Sequence, residues 1–206
     1  TDANGNLIET VDYKGIKTVF EYNQVGDKVK QINSDGSTVE WTYNKEGQVI
    51  SEKRQTEETS EIKTYLITTY EYNQVGEVVK QKLDGQIIDK INNRSESILL
   101  KESTYSYDEL GRFIRETSKY FEEGNPNKYK KSDVRFLYDL NGNLIRKWIY
   151  DESSATINQL GQTTLPFVRS ESKIEYDLNN RFIREEKVEN NIVTVKTYKD
   201  DENAEV

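Results

Sequence analysis

The sequence predicts an all-β fold, built of tandem β-hairpin repeats that form one extended or curled antiparallel sheet. Three observations carry this expectation. A short phrase recurs seven times around a turn residue, at Gly5, Gly26, Gly47, Gly76, Gly111 and Gly142, with Asn180 in the seventh place. Asp or Asn stands three positions before that residue in every copy, as Asp2, Asn23, Asn44, Asn73, Asp108, Asp139 and Asp177. A β-branched residue stands three positions after it in every copy, as Ile8, Val29, Ile50, Val79, Ile114, Ile145 and Ile183. Tyrosine precedes the acid or amide in all copies but the first, at Tyr22, Tyr43, Tyr72, Tyr107, Tyr138 and Tyr176. A worn eighth copy begins at Tyr198.

The first element to justify is the turn. Asp or Asn at the first corner of a type I turn can bond the backbone two residues on, and a residue tolerating positive φ is wanted at the fourth place. Asparagine is among the few non-glycine residues that visit the left-handed region readily, so Asn180 obeys the same rule. A type I turn followed by a left-handed residue is the three-residue hairpin loop with a bulge, so each phrase reads as a hairpin.

The turn then sets pairing and faces. With Asn23 opposite Asp27, Tyr22 is expected to face Lys28, Glu21 to face Val29 and Phe20 to face Lys30, alternate residues pointing to opposite sides. One face collects the tyrosines, the residues two before them (Phe20, Trp41, Tyr70, Tyr105, Phe136, Ile174) and those two past the turn (Leu7, Val49, Val78, Phe113, Leu144, Phe182). The other is expected to carry the β-branched residues among polar neighbours such as Glu21, Thr42, Glu71, Gln31 and Glu52.

The connections come next. From turn residue to turn residue the gaps run 21, 21, 29, 35, 31 and 38, while the phrase keeps its length. Insertion therefore falls on the return side. Connections are expected to be short at 12–15 and 34–36 and long at 52–61, 89–97, 122–131 and 151–166. In a regular array the invariant turns share one edge and the variable loops the other, where binding usually resides.

Composition suits such an array. The 206 residues carry 32% charged and 33% hydrophobic side chains, lean for a two-layer core. Repeats bury apolar surface against their neighbours and need no separate domains, so residues 1–206 read as one array. The 29 Lys and Arg against 37 Asp and Glu give a net charge of −8 with no basic stripe, which argues against nucleic acid as a partner. No run approaches the roughly 20 apolar residues of a membrane helix. No basic-then-apolar leader is visible, and the absence of methionine suggests a mature or excised piece.

The unit Tyr-Asp-x-x-Gly-Asn/Arg-Leu-Ile, best written at 105–116 and 136–147, resembles the RHS or YD repeat along nearly the whole chain. The resemblance implies hairpins paired side by side into a ribbon of sheet. It also implies a non-catalytic scaffold in an exported bacterial protein, secreted or at the cell surface, as part of a toxin-encapsulating shell or a stalk. Implied partners are other repeats of the same or a neighbouring chain, an encapsulated polypeptide, or a surface glycan. Spacings up to 38 exceed the usual ones, and Asn23, Asn44 and Asn73 stand where the family writes Asp. Pro126 and Pro166, the only prolines, do not form the proline- and glycine-rich core that closes such shells.

Chemistry is thinly represented. Without histidine or cysteine the commonest general base, the thiolate nucleophile and the commonest transition-metal ligand are missing, so no cofactor is expected. A carboxylate pair could still cleave a glycoside, but Asp108, Asp139 and Asp177 hold turn corners. The stretches 2–6 and 139–143 place glycine two positions too early for a calcium loop. The aromatic row reads first as packing surface and second as a sugar-stacking adhesion surface. The candidate residues are thus the repeat signature itself: Tyr22, Gly26, Tyr43, Gly47, Tyr72, Gly76, Tyr107, Asp108, Gly111, Tyr138, Asp139, Gly142, Tyr176, Asp177 and Asn180.

Overall fold

The computed structural model describes residues 1–122, 125, 127–151 and 167–197. The loop expected at 151–166 from residue 152 onward, Gly124, Pro126, Pro166 and the eighth phrase at Tyr198 lie outside the described residues. Fourteen strands follow in order: β1 (Glu9–Val11), β2 (Lys17–Tyr22), β3 (Lys28–Ile32), β4 (Thr38–Tyr43), β5 (Val49–Glu58), β6 (Ile62–Tyr72), β7 (Val78–Asp89), β8 (Arg94–Tyr107), β9 (Phe113–Phe121), β10 (Tyr129–Tyr138), β11 (Leu144–Asp151), β12 (Phe167–Tyr176), β13 (Phe182–Glu189) and β14 (Ile192–Thr197). They form one sheet in which spatial order equals chain order. Two compact units can be distinguished, Thr1–Ser103 with Tyr120–Tyr129, and Thr104–Lys119 with Lys130–Val206.

An up-and-down meander puts successive connections on alternate edges. The phrase turns join β2 to β3, β4 to β5, β6 to β7, β8 to β9, β10 to β11 and β12 to β13 on one edge, and the return connections occupy the other. Every phrase turn residue has positive φ: Gly5 86°, Gly26 96°, Gly47 79°, Gly76 92°, Gly111 74°, Gly142 87° and Asn180 61°. The backbone bonds match the expected loop. Asn23 N donates to Asp27 O at 2.9 Å and Gly26 N to Asn23 O at 3.2 Å, and the same pair of bonds recurs in each copy.

The register departs from expectation one step beyond the turn. Tyr22 does face Lys28, but Glu21 faces Lys30 and Phe20 faces Gln31. The same slip follows Thr42, Glu71, Leu137 and Glu175. The skipped residues are Val29, Ile50, Val79, Ile145 and Ile183, so the β-branched position of the phrase is a second bulge, an extra residue on the return strand. Gln31 and Glu52 therefore move to the aromatic face, against the expectation that placed them opposite. Trp41 Nε1 donates to Glu52 Oε2 at 3.1 Å, and Lys28 Nζ lies 4.0 Å from the Phe20 ring centroid.

The long return-side loops are also corrected. The stretch 52–61 is mostly strand, with only Thr59–Glu61 connecting β5 to β6, and 89–97 contributes only residues 90–93 outside β7 and β8. Insertions have lengthened strands instead. Polar residues are no bar to this where both faces of a strand stay half wet: Gln55 pairs with Tyr65, Glu57 with Thr64, and the Thr56 and Thr64 hydroxyls lie 2.8 Å apart. The short return connections at 12–15 and 33–36 repeat the phrase turn, with Gly15 at 81° and Gly36 at 84°. The β13–β14 turn places Asn190 and Asn191 at 51° and 64°, the two consecutive left-handed residues of a mirror-image hairpin turn.

Among the described residues Val39 is the only buried apolar side chain, and the other buried ones are Ser103, Ser118, Asp133, Ser170 and Ser172. Dryness is instead shared along the aromatic face. In the second unit Phe113 lies 5.8 Å from Tyr105, 5.8 Å from Tyr107 and 5.0 Å from Phe136 between ring centroids, and Tyr176 meets Phe182 edge-on at 6.2 Å. Such tilted pairs add to the area they bury.

Candidate functional site

The corner residue is the busiest atom set in each phrase. Asp139 Oδ1 accepts the backbone N–H of Asn141 at 2.9 Å and of Asn143 at 2.8 Å, and Oδ2 accepts Asn143 Nδ2 at 3.0 Å. Asp108 and Asp177 do the same, with Arg112 Nε and Arg181 Nε as the side-chain donors at 2.6 and 2.7 Å. Asn23, Asn44 and Asn73 keep the two backbone bonds through Oδ1 and reverse the third. Their Nδ2 donates to Asp27 Oδ2 at 2.9 Å, Gln48 Oε1 at 2.8 Å and Glu77 Oε2 at 2.7 Å. Within the seven phrases a corner Asp is thus followed, four residues on, by a donor and a corner Asn by an acceptor, whereas the return turn cornered by Asp12 has Ile16 at that place. The three asparagines that replace the corner aspartate of the other phrases are each one half of a compensated pair.

This matching was available in the sequence. Asp2 with Asn6, Asp108 with Arg112, Asp139 with Asn143 and Asp177 with Arg181 contrast with Asn23 and Asp27, Asn44 and Gln48, and Asn73 and Glu77. Only the geometry shows why, by placing the two side chains on one side of the turn.

The carboxylates respond accordingly. The Asn143 amide and the Asn143 and Asn141 backbone N–H groups hold Asp139 below the usual carboxylate range. Asp108 sits partly desolvated, which alone would raise it, yet the Arg112 backbone and guanidinium bring it down. Asp177 is lowered chiefly by the Arg181 backbone N–H. With their acceptor sites turned onto these donors, the corner acids are poor catalytic or calcium ligands. Among the described residues no three acidic side chains gather closely enough to hold a metal ion.

The residue after the turn also reaches its neighbour. Gln48 Nε2 donates to Gly76 O at 3.2 Å, Arg112 Nη1 to Asp139 O at 3.0 Å, and Asn143 Nδ2 to Asn180 Oδ1 at 3.0 Å. The tyrosines make a second row of stitches. Tyr22 Oη donates to Leu7 O at 2.9 Å, Tyr43 Oη to Lys28 O at 2.6 Å, Tyr72 Oη to Val49 O at 2.6 Å and Tyr138 Oη to Phe113 O at 2.9 Å. Lys28 and Val49 immediately precede the bulge residues Val29 and Ile50, where the ladder is interrupted and a carbonyl needs a partner, and Leu7 and Phe113 hold the same place in their own phrases. Burial pushes the Tyr43 and Tyr72 phenols up, with smaller contributions from Asp27 and Tyr70 respectively.

Two further features lie off the signature. Asp133 is fully buried between Arg115, which donates through Nε at 2.9 Å and Nη2 at 2.7 Å, and Arg135, which donates through Nη2 at 2.7 Å. Arg135 also covers the Tyr150 ring at 4.5 Å. A groove of about 610 Å³ crosses β11 to β14, where Lys147, Ser172, Lys187 and Thr194 stand side by side.

No family model matches the chain, and neither does any curated protein. Solved structures do. A crystal structure of TcdB2-TccC3 without its hypervariable C-terminal region is 16% identical with a TM-score of 0.48, over 96% of this chain and 14% of that one. The crystal structure of TcdB2-TccC3-TEV is 16% identical with a TM-score of 0.37, over 93% of this chain and 11% of that one. The Photorhabdus luminescens Tc holotoxin pore with a TccC3 variant is 12% identical with a TM-score of 0.25, over 91% and 12%. The chain spans about an eighth of the length of these proteins. Among the described residues no helix is long and apolar enough to cross a membrane.

Proposed function

We propose that this chain is a non-catalytic β-hairpin scaffold of the RHS or YD-repeat kind, serving in the wall or stalk of an exported bacterial protein. One observation carries the reading: the corner acids and amides are engaged within their own turns, and Tyr22, Tyr43, Tyr72 and Tyr138 bond the preceding hairpin. A corner acid bonded by three donors and a tyrosine bonded to the preceding repeat build an array and leave little chemistry for a substrate. The likeness to toxin-complex chains agrees with a structural role next to other chains, and encapsulation of a polypeptide is the task such a wall would serve.

The test combines stability with binding. Tyr43→Phe and Tyr72→Phe should each lower the unfolding free energy by about 1 kcal/mol, the worth of one hydrogen bond. The unaltered chain should show no glycosidase turnover and no saturable binding across an immobilised glycan panel. Saturable glycan binding, lost when Trp41 or Phe113 is replaced by alanine in a chain that still folds, would replace the scaffold reading with adhesion.

A further inference from the structure

Asp or Asn at the corner and a left-handed residue at the fourth place are required by the turn, but nothing in its geometry asks for an apolar residue between them. In the second unit each of the phrase turns nevertheless carries a leucine there. Leu110 is 76% exposed, and Leu140 and Leu178 are fully exposed. The three turns are consecutive on one edge of the sheet and are tied together by the Arg112–Asp139 and Asn143–Asn180 bonds. Hairpin repeats put successive turns about 9.6 Å apart, two strand spacings. The leucines therefore form a row, with Leu110 one turn position later than the other two. In the first unit Val25 and Val75 are similarly exposed, but the turn between them offers only Lys45 and Glu46.

We propose that this leucine row is a docking edge for an amphipathic helix of a partner protein, one with apolar residues at heptad spacing flanked by lysine or arginine. The pitch of the row is close to the roughly 10.5 Å between residues seven apart on a helix. Extended chain could match the pitch too, but it would need backbone partners. Most of the turn amides are already taken: Leu110 N and Arg112 N by Asp108 Oδ1, Asn141 N and Asn143 N by Asp139 Oδ1, Asn179 N and Arg181 N by Asp177 Oδ1. A helix satisfies its own backbone and needs only the side chains. The charge beside the leucines selects a basic partner. Arg112 and Arg181 pair with Asp108 and Asp177, which leaves Glu109 and Asp139 as the net negative charge beside the leucines. The same acidity opposes an anionic lipid surface.

The inference goes beyond the scaffold reading and does not depend on it. The test uses the full chain and a synthetic helical peptide with leucine at every seventh position and lysines beside each. Peptide fluorescence anisotropy should saturate, and the triple variant Leu110→Ser, Leu140→Ser, Leu178→Ser should bind roughly tenfold or more weakly, as expected when apolar anchors are removed. These side chains are exposed, so the variant should keep the far-ultraviolet spectrum and melting curve of the parent. A reversed peptide charge, glutamate for lysine, should also weaken binding. Equal binding by the triple variant, or no saturation at all, would overturn the proposal. So would leucine-dependent binding to phosphatidylcholine–phosphatidylglycerol vesicles without peptide binding, or a leucine-dependent self-association that accounts for the signal.

Discussion

Replacing Asn73 by aspartate tests the compensated turn most directly. In the parent, Asn73 Nδ2 donates to Glu77 Oε2 at 2.7 Å while Oδ1 accepts the Val75 and Glu77 amides. Asn73→Asp preserves the two backbone bonds and turns the third into two facing carboxylates. At that separation two unit charges repel by about 1.5 kcal/mol in a water-like dielectric, and the lost hydrogen bond is worth about 1 kcal/mol. Both side chains are only half buried and can rotate apart, so the net destabilisation should be about 1 to 2 kcal/mol. Adding Glu77→Arg rebuilds the arrangement already used by Asp177 and Arg181, and the double variant should return to within about 0.5 kcal/mol of the parent. Urea unfolding of the parent, both single variants and the double closes the cycle. The pH dependence follows from the same repulsion. It raises a carboxyl pKa of the folded Asn73→Asp variant above the unfolded value. The penalty is therefore full above that folded pKa and lifts as pH falls through it. A parent-like Asn73→Asp, or a double variant no better than the worse single, would refute the matching.

Other outcomes can be checked alongside. Gly142→Val should cost more than about 1 to 2 kcal/mol, since φ is 87° and a β-branched side chain fits badly in the left-handed region; Gly142→Asn should cost far less, as Asn180 shows at 61°. Asp108, Asp139 and Asp177 have lowered folded pKa values, so the stability they contribute is present above about 3.8 and lost as pH falls through the folded values. Hydrogen exchange near pH 2 should therefore open the turns of Gly111, Gly142 and Asn180 before those cornered by Asn23, Asn44 and Asn73. Glu58, bonded by Lys90 at 2.7 Å and Lys63 at 3.1 Å, is pulled down to about 2, and its carboxyl carbon shift should titrate there. Asp133→Ala strands two arginines and should cost about 2 kcal/mol, below the usual price of breaking a buried pair because Arg115 and Arg135 are 43% and 42% exposed.

The sequence by itself determined the turn, the hairpin and their order. Those properties are local: a corner acid or amide and a left-handed residue three places on specify the same loop wherever they occur, and Asn180 could be read as glycine's substitute without coordinates. Only the tertiary structure decided where the β-branched residue goes. A bulge breaks the alternation of side chains at one residue, and a sequence read with a strict period of two does not reveal the break, so only the observed register puts Gln31 and Glu52 on the aromatic face. The expected loops at 52–61 and 89–97 were lost for a related reason. Polarity signals a loop only when a sheet has a dry side to exclude it, and these strands are half wet on both. The tyrosines show the division most plainly. Their recurrence was visible residue by residue, but a phenol bonded to a carbonyl fifteen or more positions earlier exists only once neighbouring hairpins lie side by side.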